Sequence, residues 1–212
     1  MYNHEPINRW IENEGKKVLC EVGVTRDSIV LDFGCGYGYY SIAAALNNSG
    51  GGKVYAVDKD RKAIKAVNDK AEYYKLDNIV AVRTNGDLDL NFISEKVDVV
   101  LLYDIIHSSD PATKLPIRFD VINMAGRLLK KNGILSILPF HLSSFRDKNG
   151  KKKTYKYSTI IDEIVNEGFT YRDMMQDKGI HFEKVDSPYY LEKGNITFED
   201  LERGTIINFI KE

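Results

Sequence analysis

The stretch "VLDFGCGYGYYS", Val30 to Ser41, ends an apolar run on an aspartate and then sets glycines at three alternate positions, Gly34, Gly36 and Gly38. Glycine adopts backbone angles closed to other residues. Lacking Cβ, it also lets main-chain N–H groups and the following helix N-terminus approach a polar ligand closely. In an open parallel sheet, ligands bind at the carboxyl ends of the strands, where the first strand turns into its helix. The competing reading is a tight turn with no ligand, but a turn alone seldom needs three glycines.

The rest of the chain repeats this strand-then-helix pattern. Short apolar runs predict strands at Ile29 to Phe33, Val54 to Val57, Ile79 to Arg83, Val97 to Leu102 and Ile134 to Leu138. Helices are expected between them, at Tyr39 to Asn47, Arg61 to Lys75 and Leu115 to Lys130, the last stopped by "KKNG". Ile64, Val67 and Ala71 mark the buried face of the second helix. Pro6 to Val22 reads as helical and lies outside the repeat, placed to cap the open edge of a site. Thr159 to Glu167 reads as a helix closed by Gly168, and "GTIINFIK" as a strand with alternating faces. Between them, Phe169 to Arg203 has room for one more strand and irregular chain.

Lys plus Arg number 30 against 31 Asp plus Glu, so no overall field draws the protein to nucleic acid or a membrane surface. Cys20 and Cys35 show neither a disulfide framework nor metal-ligand spacing, so no metal is expected and a reducing cytoplasm is the expected compartment. The N-terminus has no secretory pattern, and no apolar run reaches the length of a membrane span.

A dinucleotide fold would carry GxGxxG, whereas here the third glycine comes one position early and Tyr39 fills the fingerprint position. Asp32 would repel a pyrophosphate and suits an ammonium group. No GxxxxGK[ST] phosphate loop occurs.

"LDFGCGYG" resembles the DxGxGxG motif of class I S-adenosylmethionine-dependent methyltransferases. "VYAVDKD", "RTNGDLDL", "VDVVLLYDIIH" and "LLKKNGILSI" resemble that family's later segments, in the same order, over Ile29 to Leu138. The resemblance implies an α/β, Rossmann-like fold with a seven-stranded, mostly parallel sheet and helices on both faces. Residues 1–212 then form one domain: a helical cap at 1–28, a cofactor-binding core at 29–138 and an acceptor-side part at 139–212. It also implies S-adenosyl-L-methionine as cofactor, with S-adenosyl-L-homocysteine as product. Asp58 would hold the ribose diol, with Lys59 beside it. Asp87 would hold the adenine amine between Gly86 and Leu88, with Asp89 as the alternative. Asp32 would meet the methionyl ammonium, and the glycine loop with Cys35 the carboxylate, close to Tyr103.

Methyl transfer from a sulfonium mainly requires positioning and exclusion of water. Some acceptors also need a base, and the loop "YDIIHSSDP" offers His107 and Asp104 as the catalytic candidates. A structural, hydrogen-bonded histidine is the other reading of His107. Tyr37, Tyr39 and Tyr40 are candidates either for the cavity wall or for core packing. His141, Phe145 and the basic run Arg146 to Lys156 sit where a loop closes over an acceptor. The loop lacks the "NPPY" type of DNA adenine methyltransferases, and no dedicated RNA-binding module is present, so a small-molecule acceptor is expected. An RNA or protein methyltransferase, or a cofactor-binding subunit without activity, is the alternative.

Overall fold

The computed structural model describes residues 5–48, 50–182 and 197–212. One sheet contains β1 (Ile29–Phe33), β2 (Lys53–Asp58), β3 (Ile79–Arg83), β4 (Val97–Tyr103), β5 (Leu129–Leu138), β6 (Phe169–His181) and β7 (Glu202–Lys211), in the order β3-β2-β1-β4-β5-β7-β6. The first five run parallel, and β7 lies antiparallel to both β5 and β6. Strand order reverses between β1 and β4, and in such sheets a crevice opens at that switch point. Among the sequence expectations, the extra strand after Phe169 is β6, and residues 183–196 of that region lie outside the described residues.

Helices cover both faces. α1 (Glu5–Arg9), a π-helical turn (Trp10–Gly15), α2 (Lys16–Val22) and α3 (Tyr39–Asn47) share one core cluster, in which Trp10, Leu19, Ile42 and Leu101 are buried. α4 (Arg61–Tyr73) packs against α3, β2 and β3. α5 (Arg118–Leu128) and α6 (Tyr157–Asn166) bury the other face, where Ile122, Ile164 and Phe209 meet. The faces of β7 do alternate, Ile206 entering the first cluster and Ile207 the second, and both are buried because β7 is an inner strand.

Several boundaries differ from the sequence reading, among them the end of α5 and the start of β5. α5 ends at Leu128, before "KKNG", and Leu129 is already extended at φ −64° and ψ 143°. Lys130 to Gly133 form an irregularity inside β5, because Leu129 pairs with Val97 and Ile134 with Val99. Asn132 takes φ 61° there, so the turn residues shape a bulge in a strand where they were expected to stop a helix. The Pro6 to Val22 segment is helical as expected, but its described residues do not line the cavity at the switch point. It backs the wall, Trp10 meeting Tyr40 and Phe182 edge-on at 4.9 and 5.0 Å.

A buried ion pair ties the loop after β5 to α5 and α6. Arg118, 1% exposed, grips Glu163 through Nε at 2.7 Å and Nη2 at 2.8 Å, and also donates to Tyr155 Oη and the Arg146 carbonyl. Of the basic run, Arg146 donates to the Gly150 carbonyl and Lys153 pairs with Asp147. These contacts fold the loop on itself.

Candidate active site

The glycine turn lies at the carboxyl end of β1, and a cavity of about 460 Å³ opens beside it. The three glycines do different work. A Cβ at Gly34 would come within 2.5 Å of Ile105 Cγ2, and one at Gly38 within 2.5 Å of Val67 Cγ2. A Cβ at Gly36 would meet nothing within 4 Å. Close packing therefore excludes side chains at the outer two positions, while the middle glycine borders open space where a ligand's polar end can reach the backbone.

Asp32 lies at the end of β1, 2% exposed, and accepts a 2.5 Å hydrogen bond from Ser41 Oγ on α3. Burial pushes its carboxyl up to about 7, against the lowering effect of the Ser41 bond. An ammonium group in the cavity would return it to the charged form. Cys35 lines the same cavity, and burial followed by the nearby carboxylates Asp32 and Asp58 pushes its thiol far up, so it offers no nucleophile.

Asp58, at the end of β2, accepts from Gly36 N at 2.9 Å through Oδ2 and from Asp60 N at 2.8 Å through Oδ1. The cap of α4 is Asp60, which accepts from Lys62 N. Asp58 is thus free of capping duty, and each of its oxygens keeps lone-pair capacity for a further donor. Asp58, Lys59, Gly34, Ile105 and Ser108 also border a second cavity of about 650 Å³, lined by Phe33, Val57, Gly86 and Leu88. The two chambers meet at Asp58, which matches a long ligand crossing the switch point.

Not every expected residue is brought in. Asp87 is exposed and borders neither chamber, although its neighbours Gly86 and Leu88 do. Asp89, the alternative, lines a separate hollow with Asn91 and Arg127. The turn after β3 points its carboxylates outward, and sequence spacing alone carries no information on that direction.

Across the first cavity from the glycines stands Asp104, directly after β4, with a left-handed φ of 56°. His107 Nδ1 lies 3.4 Å from its Oδ1, His141 Nε2 lies 3.7 Å from its Oδ2, and His181 Nε2 is hydrogen-bonded to Oδ2 at 2.7 Å. Burial opposes the charge on Asp104, but the adjacent His107 and His181 outweigh it and hold the carboxyl below its usual range. Burial likewise opposes charging of His181, and its contacts with Asp104 and Glu202 prevail and push it up. Tyr103 sits behind, its Oη sharing a 2.9 Å hydrogen bond with Ser136 Oγ, and burial raises its pKa.

His181 was missed by the sequence reading. It stands at the end of β6, remote in the chain from the methyltransferase-like segment. A Cβ at Gly179 would lie 2.5 Å from Leu138 Cδ1, so glycine there leaves room for the Leu138 side chain from the end of β5. Phe140 then stacks on the His181 ring at 4.1 Å. The run "GIH" was the available signal, and it needs the strand order to be interpreted. The expectation of no metal ligands rested on linear spacing, whereas the fold gathers Asp104, His107 and His141 from two separate loops.

Aromatic rings close the remaining wall. Tyr37, Tyr39, Tyr40, Tyr103 and Phe182 line the cavity, and Lys70 Nζ lies 4.8 Å from the centre of the Tyr39 ring. Tyr40 Oη bridges to both N and O of Ile180, so this tyrosine is also a packing element. Both readings of the tyrosine cluster therefore apply.

A family model described as "Methyltransferase domain" matches residues 25–186. The chain belongs to this family, the class I S-adenosylmethionine-dependent methyltransferases. It is similar to a probable cobalt-precorrin-6B C(15)-methyltransferase (decarboxylating) of Saccharolobus solfataricus, 30% identical over 119 residues, covering 52% of this chain and 55% of the relative. It is also similar to ribosomal protein L11 methyltransferase of Acinetobacter baumannii, 36% identical over 76 residues, covering 36% of this chain and 25% of the relative. The chain thus spans about half the length of the first curated relative and a quarter of the second. Among solved structures, a SAM dependent methyltransferase from Aquifex aeolicus shares the fold, with a TM-score of 0.62, 18% identity and coverage of 96% and 93%.

Proposed function

We propose that the protein transfers a methyl group from S-adenosylmethionine to a small-molecule acceptor held between the glycine turn and the Asp104 loop. The observation that carries this reading is the double chamber meeting at Asp58, whose first part is lined both by Gly36 of the glycine turn and by Asp104, His107 and His181. The residues present suit the cofactor: Asp58 for a diol, the N-terminus of α3 after the glycine turn for a carboxylate, and buried Asp32 for an ammonium group. When bound, it supplies a methyl group on a sulfonium, an already activated leaving group.

The chain's own residues have the remaining tasks. The aromatic wall excludes water from the acceptor chamber. Asp104 and His107 orient the acceptor and handle its proton. The first chamber, about 460 Å³ and lined by Phe182 and the tyrosines, has the volume of a small-molecule site. Similarity to a precorrin methyltransferase supports the same class.

The test is incubation with methyl-tritiated S-adenosylmethionine and, separately, the small-molecule, RNA and protein fractions of a cell extract. Label in the small-molecule fraction is expected. Label confined to RNA or protein would overturn the acceptor class, and no transfer at all would overturn the activity.

A further inference from the structure

The carboxylate of Asp104 and the imidazoles of His107 and His141 each present one ligand atom, and these atoms lie within 4.8 Å of one another. Asp104 follows β4 directly, His107 is three residues further on, and His141 comes from the loop after β5. The two loops converge at the switch-point end of the sheet.

A further observation points to a missing ligand at this place. Asp104 Oδ1 and His107 Nδ1 are buried and face each other at 3.4 Å, yet among the described residues neither atom makes a well-aligned hydrogen bond. A buried carboxylate oxygen left unsatisfied is costly, and native proteins hold few such atoms. Asp104 and His141 both adopt the left-handed conformation, at φ 56° and φ 54°, where aspartate and histidine are among the enriched non-glycine residues.

We propose that Asp104, His107 and His141 bind a divalent first-row transition-metal ion of the zinc class at the acceptor end of the cavity. Imidazole nitrogen suits such ions, whereas magnesium and calcium take oxygen donors. With bond lengths of about 2.0–2.2 Å, neighbouring donors around a tetrahedral ion stand about 3.3–3.6 Å apart, and Asp104 Oδ1 and His107 Nδ1 already do at 3.4 Å. His141, on the more exposed loop, closes the remaining distance. The supporting contacts are also present. Asp104 Oδ2 accepts from His181 Nε2 at 2.7 Å, His181 Nδ1 faces Glu202 at 3.4 Å, and Phe140 stacks on the His181 ring. Such outer contacts orient the ligating carboxylate.

Three protein donors leave a coordination position free. Asp104 and His107 both line the methyl-transfer cavity, so that position serves an acceptor carrying an oxygen donor such as a hydroxyl, phenol or carboxylate. This use of the ion rests on the methyl-transfer reading, whereas the ion site itself does not. Asp104 and His107 then act on the acceptor through the ion, and His107 is a ligand in place of a free base.

The experiment is calorimetric titration of tag-free, chelator-treated protein with Zn²⁺ alone and with Co²⁺ alone, with the visible spectrum of the Co²⁺ form as a second readout. One ion per chain is expected, with a cobalt spectrum showing nitrogen ligation. His107→Ala and His141→Ala should each weaken binding at least tenfold, and His181→Ala, which only positions Asp104, by about 10–100-fold. Circular dichroism establishes that each variant is folded, and His141, whose side chain is 39% exposed, tolerates truncation most readily. No binding by the wild type, or unaltered binding in both His107→Ala and His141→Ala, would overturn the site. S-adenosylhomocysteine titrated into the same chelator-treated protein reads the cofactor reading by itself, so the failure of one is distinguishable from the failure of the other.

Discussion

His181 Nε2 lies 2.7 Å from Asp104 Oδ2, although the two residues are 77 positions apart. The contact joins the edge strand β6 to the loop after β4, and it fixes one carboxylate oxygen while the other faces His107. His181→Ala should leave Asp104 buried without its donor and lower stability by about 1–3 kcal/mol. In a double-mutant cycle with Asp104→Asn, urea unfolding should show coupling of at least about 1 kcal/mol. Additive effects would mean that the contact contributes nothing specific.

Asp32 makes cofactor binding depend on pH. Its carboxyl is raised to about 7 by burial, and a cationic ammonium partner prefers the ionised form. Below pH 7 the group must give up a proton on binding, so affinity should fall as pH drops, approaching tenfold per unit. The same shift has the opposite sense for folding: burying the charged form costs stability, so the cost is absent below the ordinary carboxylate range and grows as pH rises toward 7. Calorimetry of S-adenosylhomocysteine between pH 5.5 and 8 reads the first effect. Asp32→Asn should flatten the profile, and an equally steep profile in that variant would assign the dependence elsewhere.

The glycines should separate binding from folding. Gly38→Ala places a methyl 2.5 Å from Val67 Cγ2 at a φ of 79°, and thermal unfolding should show a loss of about 1–3 kcal/mol. Gly36→Val meets no neighbour, so its folding cost should be confined to about 1–2 kcal/mol of backbone strain while cofactor binding is abolished. Normal binding by folded Gly36→Val would make the whole motif a turn device.

Glu163→Ala should be the most destabilising of these substitutions. It strands the Arg118 guanidinium, 1% exposed, and removing one partner of a buried pair costs about 3–5 kcal/mol. Denaturant unfolding measures it. A loss below about 1 kcal/mol would show that Tyr155 and the Arg146 carbonyl suffice.

Much of the core was legible because its signals are local. β1, β3 and α3 have the bounds read from apolar runs and turn residues, and Asp32, Gly36 and Asp58 line one cavity, as their places at and after the strand ends suggest. What was not legible depended on direction or on distant pairing. Asp87 and Asp89 differ only in which way one turn points. "KKNG" has the composition of a helix stop and serves as a strand irregularity, because pairing with β4 decides its conformation. His181 reaches the site because β6 pairs with β7 and β7 with β5, a relation that no local pattern encodes. Arg118 was likewise invisible, since its partner Glu163 lies on another helix.

The most direct measurement is calorimetric titration of S-adenosylhomocysteine into the wild-type protein and Asp58→Ala. One site per chain is expected in the wild type, and loss of the charge-assisted bonds to a diol should weaken binding by about 1.5–3 kcal/mol, or roughly 10–150-fold. Asp58→Asn, which retains an acceptor for Gly36 N, should keep the turn in place and still bind more weakly. No binding by the wild type, or equal affinity in all three proteins, would contradict a cofactor site at the junction of the two chambers.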